Sequence, residues 1–171
     1  MKQVKPLLIR QIIHALTQLH RTAKVAANQA HATATHSESV ARSKYETFGL
    51  EASYLAHGQT QRVAQLAQNI DAINALPVRY FQQADAIAVG ALVFIEDTQQ
   101  QLQALFISPC AGGIKVAFDC RQIEADLAID EVMLITPASP LGAALLGKYL
   151  DEQVRVDIAG NVKLVEIIAV Y

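Results

Sequence analysis

The sequence predicts an α+β protein: an N-terminal antiparallel helical hairpin, a coiled-coil finger, followed by a small antiparallel β-sheet domain with one short helix. Three observations predict it. Apolar residues recur at alternating spacings of three and four from Leu8 to Leu76, the 3.5-residue period of a coiled-coil seam. The pattern changes after Pro77 to short apolar runs separated by turn residues. Only one later stretch, Pro140 to Leu150, returns to a helical composition.

The first seam reads Ile9, Ile12, Leu16, Leu19, Ala23, Ala26, Ala30. Pro6 suits the first turn of its helix, which is expected to end near Thr33. The second seam reads Ala41, Tyr45, Phe48, Ala52, Leu55, then Val63, Leu66, Ile70, Ile73. A polar stretch from Ala32 to Ser39 separates them. Folded antiparallel about Ser37, the seams set Leu19 against Leu55 and Ile12 against Val63. Polar Gln59 then breaks the second seam, which resumes out of phase, a stutter. Ser37 is a candidate N-cap for the second helix, with Glu38 favourable at its positive end. Gly49 and Gly58 inside that helix mark close packing or a soft point. Each arm has about thirty residues, hence a finger roughly 45 Å long.

Residues 77–85 read as a linker between the finger (1–76) and the second domain (86–171). Strands are expected at 86–96, 102–108, 114–118 and 132–136, and turns at 97–100 and 109–113. Ser139 and Pro140 open the short helix as N-cap and N1. A final hairpin pairs 153–158 with 162–170 around Gly160.

Charge is divided unevenly. The chain of 171 residues carries a net −2, yet residues 1–80 hold nine Lys/Arg and four Asp/Glu, and residues 81–171 hold five and twelve. A basic finger suits a negative environment such as nucleic acid or an acidic channel. No apolar run approaches the roughly 20 residues of a membrane span. Arg10, Gln11 and His14 interrupt any signal-peptide core near the start, so a cytoplasmic protein without membrane contact is expected. Cys110 and Cys120 lack CxxC spacing and are expected to be plain reduced thiols.

Gly142 to Lys148 spells GxxxxGK, but Tyr149 stands where a phosphate loop needs Ser or Thr. The Ala143–Leu146 interior is strongly helix-forming, which argues against a loop with free N–H groups. His31, His36 and Glu38 gather near the finger tip without the spacing of a zinc site. Read as polar groups facing water, they give no metal centre. No nucleophile, base and orienting group fall into a catalytic pattern.

Two stretches look like the bacterial GreA and GreB transcript-cleavage factors. Ile135 to Lys148 is similar to that family's SPxxxALxGK segment through Ser139, Pro140, Ala144, Leu145, Gly147 and Lys148. Val154 to Val156, Gly160 and Glu166 to Tyr171 resemble its closing strands, and Lys44 to Thr47 looks like a KYET segment of shorter Gre-like proteins. The resemblance implies a coiled coil joined to an FKBP-like domain. It also implies a transcription elongation factor that docks on RNA polymerase by that domain and inserts the coiled coil into the secondary channel. Its contact with nascent RNA or DNA would be indirect.

Ser139 and Pro140 match the family's docking pair. The residue before them, usually polar or acidic in the family, is Ala138 here, a departure that would retune docking. Cleavage factors present two tip acids that help hold a catalytic Mg²⁺, since that ion favours carboxylate oxygens. Here the tip reads Thr35, His36, Ser37, Glu38, with Thr35 in the Asp position and Glu38 the single acid. The expectation is a polymerase accessory with weak or no cleavage stimulation. It would be no enzyme itself and would have no cofactor beyond Mg²⁺ shared with the polymerase. Two alternatives stand beside it: an active cleavage factor using Glu38, and a coiled-coil protein-interaction module. A self-contained hairpin predicts a monomer.

Overall fold

The computed structural model describes residues 4–35, 46–124, 126–158 and 160–171. The chain divides into two compact units, Ile13–Asp71 and Met1–Ile12 with Ala72–Tyr171.

The first unit holds most of two long helices, α1 (Val4–Thr35, 32 residues) and α2 (Glu46–Asn74, 29 residues). Alanine is the commonest residue of both, leucine and glutamine recur in each, and α1 holds no glycine and no proline beyond its first turn. These residues lose little entropy in a helix. In α1 the buried positions of this unit are Leu16, Ala23 and Ala30, seven residues apart as a seam requires. In α2 the inward positions run Ala56, Gln59, Val63, Leu66, Asn69 and Ile70.

That register corrects the expected pairing of Leu19 with Leu55, which are 37% and 57% exposed. Leu55 and Ala56 are adjacent and both apolar, and α2 turns the smaller one inward. With Ala56 as reference, Gln59 lies in step with Val63 and Leu66, so the expected stutter is absent among the described residues. A Cβ at Gly58 would meet nothing within 4 Å, so close packing does not explain that glycine. The expected N-cap at Ser37 lies outside the described residues.

The second unit holds a six-stranded sheet: β1 (Leu92–Asp97), β2 (Leu102–Ile107), β3 (Lys115–Ala117), β4 (Glu131–Ile135), β5 (Gln153–Ile158) and β6 (Asn161–Val170). Their spatial order is β3-β4-β2-β1-β6-β5. Four pairings are antiparallel, and β2 runs parallel to β4, so the sheet is mixed. Helix α3 (Pro140–Leu145) lies between β4 and β5 in sequence. Asp97 organises the β1–β2 turn, its carboxylate accepting from the Gln99 and Gln101 N–H groups.

Side chains alternate across the strands. Val93, Ile95, Leu105, Ile107, Ile135, Val154, Val156, Val165 and Ile167 form one core with Leu145 of α3 and with Phe81 and Ile87. Leu92, Phe94, Phe106, Val132 and Leu134 are buried at the intervening positions, and Tyr171 packs edge-on against Phe94.

Two expected elements are shorter than the sequence suggests. β1 begins at Leu92, not Ala86, because Ala88 to Ala91 make a turn through Gly90 at φ +92°, closed by Ala91 N–H to the Ala88 carbonyl. Ile87 instead exchanges two backbone hydrogen bonds with Gly147 and Lys148. α3 stops at Leu145, not Leu150. Leu146 turns extended at ψ 132° and Gly147 takes φ +77°.

Candidate functional site

The strongest sequence match falls where parallel β2 and β4 both end. Ser108 N–H donates to the Ile135 carbonyl there. The buried Ser108 hydroxyl donates to the Cys110 carbonyl at 2.7 Å, shaping the turn that leads to Gly112. A Cβ on Gly112 would lie 3.1 Å from the Thr136 Cγ2, and one on Gly142 would lie 2.0 Å from the Thr136 carbonyl oxygen. Three segments therefore close around Thr136: the 109–113 turn, the end of β4 and the start of α3.

Ser139 fastens the third segment. Its backbone is extended (φ −75°, ψ 151°), as an N-cap must be. Gly142 N–H donates to Ser139 Oγ at 3.0 Å, and the Ser139 hydroxyl donates to the Thr136 carbonyl at 2.8 Å. Ser139 N–H reaches the same carbonyl at 2.9 Å. The hydroxyl is thus engaged on both sides, and Ser139 positions its neighbours. Ala138 and Pro140, on either side of it, are exposed, as is Ala143 one turn on. Together they make a small apolar surface on a segment fastened by the Ser139 hydrogen bonds.

The same bonds settle the GxxxxGK spelling. Gly142, Ala143, Leu146, Gly147 and Lys148 each donate their N–H to a protein oxygen, and Lys148 Nζ pairs with Glu152 at 3.0 Å. No cradle for phosphate is left. Cys110 is half-buried, and burial pushes its thiol pKa up, against a smaller opposing pull from the Ser108 hydrogen bond. Cys120 is buried, with its thiol pushed up to about 11 by burial and by Asp119 and Asp130. Both are poor nucleophiles near neutral pH.

The other sequence candidates, His36, Ser37 and Glu38 at the finger tip, lie outside the described residues. Among the described residues no three His, Cys, Asp or Glu side chains converge on a metal position. No described helix is long and apolar enough to cross a membrane.

The finger carries a feature that the apolar pattern did not display. Helix α1 holds Lys5, Arg10, Arg21 and Lys24 and no Asp or Glu over its 32 residues. Helix α2 holds Arg62 against Glu46, Glu51 and Asp71. The positive charge of the finger's described part is therefore a property of α1. His14, Thr17, Arg21, Lys24, Asn28 and His31 are all exposed. They repeat at three and four, so they form one stripe about 25 Å long on the solvent side of the helix.

Solved structures of Gfh1, a GreA factor homologue, align with this chain. That from Thermus thermophilus shares 19% identity over 93% of this chain and 94% of its own, with a TM-score of 0.37. That from Thermus aquaticus shares 19% over 92% of each chain, at 0.39. A further structure of the transcription factor Gfh1 shares 18% over 93% and 92%, at 0.36. No protein-family model matches the chain, and no curated protein matches it.

Sequence reasoning missed the basic stripe because it followed the apolar seam. The polar complement of that seam was legible at the same spacing. Lys5, buried at 5% exposure, gave no such signal, since nothing local distinguishes it from the exposed lysines.

Proposed function

We propose that this protein is a Gre-like transcription regulator. It would bind RNA polymerase through the surface at the start of α3, present its basic finger to the secondary channel, and stimulate transcript cleavage weakly or not at all. The observation that carries this reading is the stretch Ile135 to Lys148. It resembles the Gre docking segment, and its Ala138 and Pro140 are exposed on a backbone fixed by Ser139. The acid-free stripe of α1 supports the second part, since a channel lined by acidic groups and nucleic acid attracts such a face. The third part rests on Glu38 as the single tip acid, with Thr35 where the family has Asp. One carboxylate supplies less to a shared Mg²⁺ than two.

The test is binding to purified core RNA polymerase with Pro140→Asp as the probe. An acidic residue suits the first turn of a helix, so the fold is kept while the apolar surface gains a charge. Saturable binding by the wild type and a loss of roughly tenfold or more in the variant, about 1.4 kcal/mol, supports the reading. Absence of saturable binding by the wild type ends it.

A second reading is favoured by Val25, Tyr54 and Leu55, which are 63%, 69% and 57% exposed. Large apolar groups in water on a helical hairpin suit a protein-interaction module. Light scattering separates the two, because a polymerase factor is monomeric and a self-associating finger gains mass with concentration.

A further inference from the structure

The second unit contains a cavity of about 590 Å³, walled by Val4, Leu92, Ile123, Leu150, Ile168 and Val170. That volume is in the range of small-molecule sites. The walls come from the first turn of α1, from β1 and β6, and from the segments after β3 and α3. The hollow is therefore set by the packing of the unit and not by one loop. Leu92 and Val170 are buried, whereas Val4, Ile123, Leu150 and Ile168 are half-buried. Four aliphatic side chains thus converge on one hollow and keep part of their surface in water, surface that an apolar ligand would cover.

The polar groups of the lining are already engaged. Lys5 Nζ donates to the main-chain oxygens of Arg79 and, at 2.8 Å, Tyr171, and lies 4.6 Å from the centre of the Phe81 ring. Two oxygens and a ring face occupy the three donors of an ammonium. The Tyr171 hydroxyl donates to Glu124 at 2.7 Å. Among the described residues no buried side-chain nitrogen or oxygen lacks a partner. A ligand therefore meets no unpaired side-chain donor, acceptor or charge in the depth of the cavity. A charged ligand would either lose water without gaining a counter-ion or break the Lys5 or Glu124 contacts, and both are costly. Gln82 and Gln83 also line the cavity and are exposed. Their amides offer donors and acceptors at its mouth, which suits a neutral polar end.

We propose that this cavity binds an uncharged small molecule with an apolar body, of the class of medium-chain alcohols and amides. The body rests against Leu92, Leu150, Ile168 and Val170, and the polar end faces Gln82 and Gln83. The Lys5 and Glu124 contacts select by exclusion, because they leave an ionic ligand nothing to pair with. The proposal stands apart from polymerase docking, because it involves neither the Ser139 surface nor the basic stripe of α1.

The test titrates the full chain into micromolar N-phenyl-1-naphthylamine, an uncharged probe whose fluorescence rises in apolar surroundings. A saturable rise is expected, with a Kd on the order of 10–100 µM. Ile168→Trp and Leu150→Phe, which fill the cavity from two sides, should each weaken binding by roughly tenfold or more. Competition at about pH 7.5 then reads the charge preference. 1-Octanol should displace the probe at a concentration at least roughly fivefold below that required of octanoate or octylammonium. Absence of a saturable rise overturns the proposal. So does binding that persists unchanged in whichever cavity-filling variant retains the wild-type circular dichroism. Displacement by either ion at a concentration equal to or below that of 1-octanol overturns it as well.

Discussion

The backbone of Gly142 runs so close beneath Thr136 that a Cβ at residue 142 would lie 2.0 Å from the Thr136 carbonyl oxygen. The obstruction is backbone, which cannot swing aside as a side-chain tip does. Gly142→Ala must therefore push α3 away from the end of β4 or break the Ser139 cap. Overpacking of this kind costs about 1–3 kcal/mol or more. Urea unfolding should show a lower midpoint at unchanged slope, and weaker polymerase binding should accompany it. A midpoint equal to wild type would mean that α3 is loosely held.

Ser139→Ala removes the acceptor for Gly142 N–H and a donor to the Thr136 carbonyl. Loss of an N-cap costs about 0.5–2 kcal/mol. Ser139→Asp keeps the acceptor and loses the donor, so it should recover part of that stability. Thermal melts of the three proteins give the order wild type, Ser139→Asp, Ser139→Ala. An inverted order would show that the donation to Thr136 outweighs the cap.

Lys5 makes stability depend on pH. Its folded pKa, about 7, lies below its ordinary 10.5. Between those values the unfolded chain binds more protons than the folded one, so stability rises with pH across that window and is lowest below about 7. The carbonyl acceptors favour the ammonium and oppose the effect, which leaves a gain on the order of 1–2 kcal/mol. Cys120 works in the opposite sense at high pH, because its thiol, ordinarily at 9.0, is held up to about 11. The comparison is best made between pH 6 and 8.5. Urea midpoints should climb over that range in the wild type, with a shallower climb in Lys5→Met. Parallel profiles would assign the climb to other groups.

The stripe on α1 predicts an electrostatic contribution to function separable from folding. Arg21 and Lys24 are exposed, so Arg21→Glu with Lys24→Glu should leave helical content unchanged. The variant should bind polymerase several-fold more weakly at low salt, with the difference shrinking as salt is raised. A salt-independent difference would point to packing.

How much was legible in the sequence varies with the length of the signal. The long 3.5 period of α1 and α2 and the short apolar run through Leu102–Ile107 needed little tertiary context. The inward choice of Ala56 over Leu55 was not legible, because both are apolar and only the approach of a partner helix selects the smaller. The turn at Ala88–Ala91 was hidden among apolar residues. Its cause is Gly90 at φ +92° and the bonds from Ile87 to Gly147 and Lys148, sixty residues away. At the candidate site, Ser139 and Pro140 could be assigned as cap and N1 from local chemistry alone. The closure around Thr136 could not, since it brings together Gly112 and Gly142 from different loops. Lys5 was invisible for the same reason, its partners being Arg79 and Tyr171.

The proposed function requires that the protein occupy the polymerase channel without cleavage chemistry. The direct measurement uses a backtracked RNA polymerase complex with a genuine cleavage factor, into which this protein is titrated while the shortened RNA is followed. Dose-dependent inhibition of cleavage, reduced by Pro140→Asp, is the predicted result. Cleavage that is unchanged at saturating protein, or increased by it, rules out channel occupancy without cleavage.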